Sequence, residues 1–267
     1  VKIKLYIVTW NNKKFLNEGL ESLFSSNLNE HDIEVNVISN HSSIELNEEF
    51  KEKVNVLQNT LRADFSSGHL TRNWNQSIIL GFKDLLKPDC DILVHAQDDT
   101  FYYPNWLEKL IKMHRKYSFI SYGWGDSFCS YTVDAVKRVG LWDERFTMMY
   151  HEADYFFRQM KYNKNKSSIN DKHHGRLHNR VIRKIARRLY KTPNGEYGFW
   201  EEDTRNAMTE GALKVLYSKH KELVGSKGEH WTDELKENLN LTSGPNYMFY
   251  PYFEKNVETL EEQGYVA

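Results

Sequence analysis

The chain has 267 residues, with 36 Lys and Arg against 37 Asp and Glu, and a formal charge of −1. That balance excludes a generally basic nucleic-acid binder and an acidic disordered chain, while 40% hydrophobic and 14% aromatic residues are enough for a packed core. No apolar run reaches the roughly 18–20 residues that a membrane span needs.

In chain order, Lys2-Ile3-Lys4-Leu5-Tyr6-Ile7-Val8 alternates charge and hydrophobe. It reads as a strand over 3–8 rather than a signal peptide, and it ends in the polar turn Thr9-Trp10-Asn11-Asn12. Apolar residues at Phe15, Leu16, Leu20, Leu23 and Phe24 predict a helix. Ile33–Ile38 is a second strand, broken by Ser39-Asn40-His41-Ser42-Ser43, and Val54–Leu57 a third. Helical spacing returns from Thr71 to Leu86; a fourth strand, Asp91–Ala96, runs into Gln97-Asp98-Asp99, and a helix follows Pro104. Two cysteines, Cys90 and Cys129, cannot build a disulfide scaffold; free buried thiols in a reducing, cytoplasmic compartment are expected.

Strands alternating with helices of this length predict an α/β fold: an open, mainly parallel sheet with helices on both faces. In such sheets ligands bind outside the carboxyl ends of the strands, where Thr9, Asn40 and Asp99 stand. After residue 118 the pattern changes. Ser118–Gly125 and Phe128–Val133 read as short strands, then come Gly140-Leu141-Trp142-Asp143-Glu144-Arg145-Phe146 and a helix over Glu152–Met160. Residues 161–191 hold eleven Lys and Arg against one acid, Asp171. Within them, 179–191 align Val181, Ile182, Ile185, Ala186 and Leu189 on one helical stripe opposite a cationic face. Such a helix packs on its own domain or lies peripherally on an anionic membrane surface. The expected organisation is a domain over 1–178 and a helical C-terminal extension over 179–267 on the same globule.

Three clusters carry chemistry. Adjacent carboxylates after a buried strand, Asp98 and Asp99, repel and lose hydration unless a cation or hydrogen-bond donors compensate. Hard oxygens of this kind suit Mn2+ or Mg2+ shared with substrate phosphates; the plainer reading is an acidic turn capping the next helix. In His151-Glu152-Ala153-Asp154 the i, i+4 spacing pairs Asp154 with Arg158. Glu152, about 200° away around the helix, is left to point into a cleft as a general base, although both acids also suit a helix N-terminus. Lys172-His173-His174-Gly175 offers ring nitrogens to a metal or a phosphate.

In order and spacing these segments resemble the GT-A-fold, Rossmann-like glycosyltransferases, most of all family 2, the inverting enzymes that use nucleotide sugars. Ile7-Val8-Thr9-Trp10-Asn11-Asn12 resembles that family's first strand and nucleotide-contacting loop. Asn73-Trp74-Asn75-Gln76-Ser77-Ile78 resembles its Asn-x-Gly-Ile helix start, and Val94–Thr100 its Asp-x-Asp strand. Gly140–Phe146 followed by Glu152, Asp154 and Arg158 resembles its Gly-x-x-Asp-Glu-x-Phe and acidic catalytic segment, and His173-His174-Gly175 its His-rich loop. The likeness covers roughly residues 3–178. It departs from the family at Gln97, the first position of Asp-x-Asp; at Glu152, where the family has Asp; and at Asn40-His41-Ser42-Ser43 in place of Asp-Gly-Ser.

The resemblance implies transfer of a sugar from a nucleoside-diphosphate sugar, most naturally a UDP-sugar, to a glycan, lipid-linked glycan or glycoprotein hydroxyl, with inversion. It implies Glu152 as base, a divalent ion on Asp99 and His173, and donor contacts from Thr9, Asn11, Asn40, Asn75, Asp98 and Asp154. The natural setting is biosynthesis of a surface polysaccharide or a glycoprotein glycan. Two other readings stay open: a catalytically degenerate nucleotide-sugar binder, which Gln97 favours, and a nucleotidyltransferase, which would carry a Gly-rich basic loop where Thr9-Trp10-Asn11-Asn12 stands.

Overall fold

The computed structural model describes residues 1–9, 12–28, 31–40, 43–59, 70–123, 126–144, 146, 150–163, 166–171, 176–177, 186–188 and 216. The first half alternates strand and helix: β1 (Lys2–Thr9), α1 (Lys13–Phe24), β2 (Asp32–Asn40), a short α2 (Glu48–Lys51), β3 (Asn55–Asn59), α3 (Leu70–Phe82) and β4 (Ile92–Gln97). Then follow β5 (Thr100–Tyr102), α4 (Trp106–His114), β6 (Phe119–Gly123), β7 (Phe128–Tyr131), α5 (Val133–Val139), α6 (His151–Tyr162), β8 (Ser167–Asp171), β9 (Arg176–Leu177) and β10 (Ala186–Arg188).

Eight strands form one sheet in the order β3-β2-β1-β4-β7-β6-β8-β9. The β3-β2-β1-β4 half is parallel throughout, and β6 and β8 are also parallel. The chain reverses at β7, which runs antiparallel to both β4 and β6. β1 shows why this half is a buried parallel sheet: every residue after Lys2 is buried, and alternate residues serve opposite faces. Ile3, Leu5 and Ile7 join a core with Leu16, Leu20 and Leu23 of α1 and Trp106, Leu107 and Leu110 of α4. Tyr6 and Val8 join the other core, with Trp74, Ile78 and Phe82 of α3, Val136 of α5 and Tyr155 of α6. Both cysteines are buried and free, and burial pushes the Cys90 thiol up to about 12. No helix among the described residues is long and apolar enough to cross a membrane.

Several boundaries differ from the sequence expectation. α3 stops at Phe82 rather than Leu86, because Lys83 takes a left-handed conformation (φ 62°) that ends the helix. The strand expected over Phe128–Val133 ends at Tyr131, and Val133 instead opens α5. That helix has Asp134 in its first turn, Lys137 and Arg138 in its last, and Gly140 at φ 79° to stop it.

The amphipathic helix expected over 179–191 is contradicted where the chain is described. Ala186–Arg188 is a strand, antiparallel to β5. β5 has left the main sheet, so its backbone donors and acceptors need a partner, and that pairing overrides the helical spacing of the side chains. The remainder of the extension, apart from position 216, lies outside the described residues.

Candidate active site

β1 and β4 are neighbours, but the chain winds away from them in opposite directions, towards β2 and β3 on one side and β7 on the other. The carboxyl ends of two such strands leave a crevice for ligands. Thr9 closes β1 and Gln97 closes β4, with Asp98 following. The Asp98 amide still donates to Val8 O at 3.1 Å, so the turn is fixed to the end of β1. Thr9 Oγ1 donates to Asp98 Oδ2 at 2.7 Å, and Asn12 Nδ2 donates to Asp98 Oδ1 at 3.3 Å. Asn12 also caps α1, accepting from the Phe15 amide. Asp98 is half-buried and Asp99 is fully buried, at 0% exposure.

The sheet reversal brings a second carboxylate to the same edge. Asp126 stands just before β7, where Gln97 N donates to Ser127 O at 3.0 Å. Gln97 Nε2 donates to Asp126 Oδ1 at 3.2 Å. Trp74 Nε1 donates to Asp126 Oδ2, and His151 Nε2 meets the same oxygen at 2.8 Å. Burial opposes ionisation of Asp126, but its neighbour His151 and the hydrogen bonds from His151 and Trp74 hold its carboxyl below the usual range. His95, stacked on Trp74 with ring centroids 3.9 Å apart, is pushed by burial down to about 3 and stays neutral.

His151 opens α6, and Glu152 follows it with its side chain 15% exposed. The approach to this helix is strained: Tyr150 is left-handed at φ 61°, an uncommon conformation for a bulky residue. Burial and the charge of Glu152 raise the Tyr150 phenol above its usual value. Deeper in α6, Arg158 Nε and Nη2 donate to Asp154 Oδ2 at 2.9 and 2.8 Å, both side chains wholly buried.

The described geometry redistributes the residues nominated from sequence. Thr9 is buried and holds Asp98. Asn40 is buried, accepting from Asn59 Nδ2 at 3.0 Å within an amide cluster that includes Asn73 and Gln76. Asn75 is a clamp, not a ligand contact: Oδ1 accepts from the Trp142 amide, while Nδ2 donates to Trp142 O and to Glu144 Oε1. Every hydrogen-bonding atom of its amide is thereby used on the 142–144 loop. Asp154, wholly buried against Arg158, positions α6 rather than facing a substrate. Asp99, expected as the metal ligand, is wholly buried, and Asp98 beside it is half-buried. Asn11 and His173 lie outside the described residues.

Sequence reasoning missed Asn12, whose place before Lys13-Lys14-Phe15 is a legible N-cap, and Asp126, which has no local signal. Among the described residues no three His, Cys, Asp or Glu converge to hold a metal ion. The donor chemistry still fits a hard cation that takes one or two carboxylate oxygens and completes its shell with phosphate and water.

The fold is that of the GT-A glycosyltransferases. It is similar to glucosyl-3-phosphoglycerate synthase from Mycobacterium tuberculosis in complex with Mn2+, UDP and phosphoglyceric acid: TM-score 0.51 and 10% identity, over 81% of this chain and 78% of that one. TarS 1–349 from S. aureus matches at TM-score 0.48 and 13% identity, over 86% and 76%. The mannosyltransferase PcManGT from Pyrobaculum calidifontis, in complex with GDP-Man and Mn2+, matches at 0.48 and 9%, over 82% and 61%. No protein-family model and no curated protein matches the sequence.

Proposed function

We propose that this chain is an inverting glycosyltransferase that moves a sugar from a nucleoside-diphosphate sugar, a UDP-sugar in the first instance, to a hydroxyl of a glycan, lipid-linked glycan or glycoprotein. The observation that carries this reading is a run of contacts that joins two carboxylates across the strand ends. Asp98 is tethered at the β1–β4 switch point, and Glu152 is linked to it through Gln97, Asp126 and His151.

Glu152 takes the proton of the acceptor hydroxyl as that oxygen attacks the anomeric carbon. The new C–O bond forms on the face opposite the breaking bond to the diphosphate, through an oxocarbenium-like state, and the sugar inverts. The leaving diphosphate departs at the Asp98 end of the crevice. Thr9 and Asn12 fix Asp98 there, where it would hold a Mn2+ or Mg2+ ion that would supply positive charge against the growing charge of the leaving group. Asn40 and Asn59 at the ends of β2 and β3, with Gln76 of α3 against Asn59, offer amides suited to a base or ribose.

The test is release of nucleoside diphosphate from UDP-, GDP- and dTDP-sugars with Mn2+ or EDTA, in wild type, Asp98→Asn and Glu152→Gln. One donor turned over, with loss in EDTA and in both variants, is the expected result. Binding without release supports instead a degenerate nucleotide-sugar binder, a reading favoured by Gln97 in place of an acid and by its engagement with Asp126. No binding of any donor refutes both.

A further inference from the structure

The residue before the proposed base is a buried histidine whose two ring nitrogens face two different carboxylates. His151 Nε2 lies 2.8 Å from Asp126 Oδ2, and Nδ1 lies 3.4 Å from Glu152 Oε2. Asp126 accepts hydrogen bonds from Trp74 and Gln97 as well, so it is an acceptor and Nε2 carries the hydrogen between them. The tautomer is thereby set, as one nitrogen's partner fixes what the other can do. Nδ1 of a neutral ring then presents a lone pair to a carboxylate oxygen. Two acceptors at that separation repel unless a proton lies between them.

We propose that His151 is a positioning residue for Glu152: Asp126 fixes its tautomer, and its Nδ1 holds Glu152 Oε2 and stabilises the proton that the base collects from the acceptor. The inference rests on the reading of Glu152 as base. The geometry supports a division of labour within the carboxylate. Oε2 is buried against the histidine, so the exposed part of the side chain is the part available to an acceptor. Glu152 takes the acceptor's proton on that exposed oxygen, and the neutral carboxylic acid no longer repels the Nδ1 lone pair that faces Oε2. Release of that proton to water regenerates the base. The left-handed Tyr150 sets the entry into α6 that places both side chains at the sheet edge.

The test uses the full chain in the same diphosphate-release assay, with the donor that the wild type turns over and water as the acceptor. His151→Gln keeps an amide near the Nε2 position to satisfy Asp126 but has no group at Nδ1. It is expected to lower kcat by about 10-fold or more, within the roughly 10²–10⁴-fold that a positioned base supplies, with the donor KM unchanged. His151→Ala is expected to do the same. Combined with Glu152→Gln, either change should cost nothing further, since both act through one proton. A structural role alone would lower stability and add to the Glu152→Gln loss. Imidazole 15N spectra should show Nε2 protonated and an Nδ1 resonance that moves in Glu152→Gln. Full kcat in His151→Gln alongside an inactive Glu152→Gln, additive losses, or an Nδ1–H tautomer each overturn this inference and leave the function standing. A wild type inert towards every donor overturns the function and this inference with it.

Discussion

Gly19 lies in the middle of α1, where a glycine costs helix stability, and its position explains why it is there. A Cβ at this site would lie 2.9 Å from Thr100 O and 3.2 Å from Asp98 O, both backbone atoms of the turn that carries the acidic pair. α1 would have to retreat by about half an ångström to restore ordinary contact, and backbone cannot swing aside as a side chain can. Overpacking of this kind costs about 1–3 kcal/mol, against a gain of about 1 kcal/mol from replacing Gly by Ala in a helix. Gly19→Ala should therefore lose up to about 2 kcal/mol in urea denaturation. It should also weaken UDP binding in calorimetry, because the displaced turn carries Asp98. Gly81 is the internal comparison: its Cβ would meet the far end of the Leu93 side chain, so Gly81→Ala should cost less and leave UDP binding alone. A Gly19→Ala protein more stable by about 1 kcal/mol, as helix propensity alone dictates, with unchanged UDP affinity, would refute the packing argument.

Arg158→Met strands the Asp154 carboxylate in the core, and urea melts should show a loss of about 3–5 kcal/mol; a loss under about 1 kcal/mol would mean that the pair contributes no more than a surface one. Asn75→Ala removes three hydrogen bonds to the 142–144 loop, and Asn75→Asp should be similarly damaging because a carboxylate cannot donate to Trp142 O; near-wild-type stability of Asn75→Asp in the same melts would count against the clamp. Burial lowers His95 to about 3 and His114 to about 4 in the folded protein, whereas the unfolded chain protonates both near pH 6.5. The unfolded state therefore takes up protons that the folded state refuses. Stability should fall as pH drops from about 6.5 towards 4, by up to about 1.4 kcal/mol per pH unit for each histidine; a denaturation midpoint that stays flat from pH 7 to 5 would contradict it.

The frame was legible because its signals are local. β1 and β4 are mostly apolar, the helices between them keep their spacing, and Thr9, Asn40 and Asp99 fall at or just past strand ends whichever way the sheet is ordered. The i, i+4 pair of Asp154 and Arg158 follows from helix geometry alone. What escaped depends on distant chain. Asp126 reaches His151 and Gln97 only because β7 returns antiparallel beside β4, and nothing near Asp126 announces that reversal. The relative access of Asp98 and Asp99 turns on which way adjacent residues face as the chain leaves a strand. The stripe at 181–189 is helical in pattern, yet Ala186–Arg188 answers to the open backbone of β5.

β1 has a further consequence, for the order in which the protein is made. Its two sheet partners are β2 and β4, and Ile3 pairs with Ile92, so its second neighbour leaves the ribosome long after it. At roughly 5–20 residues per second the wait is on the order of 5–20 s. Once β2 has paired, and until β4 emerges, β1 keeps one unpaired edge, open to the wrong partner. The central strand of the mature sheet is thus the segment most in need of protection during synthesis, and mispairing there would bury the Thr9 end before Asp98 exists to receive it.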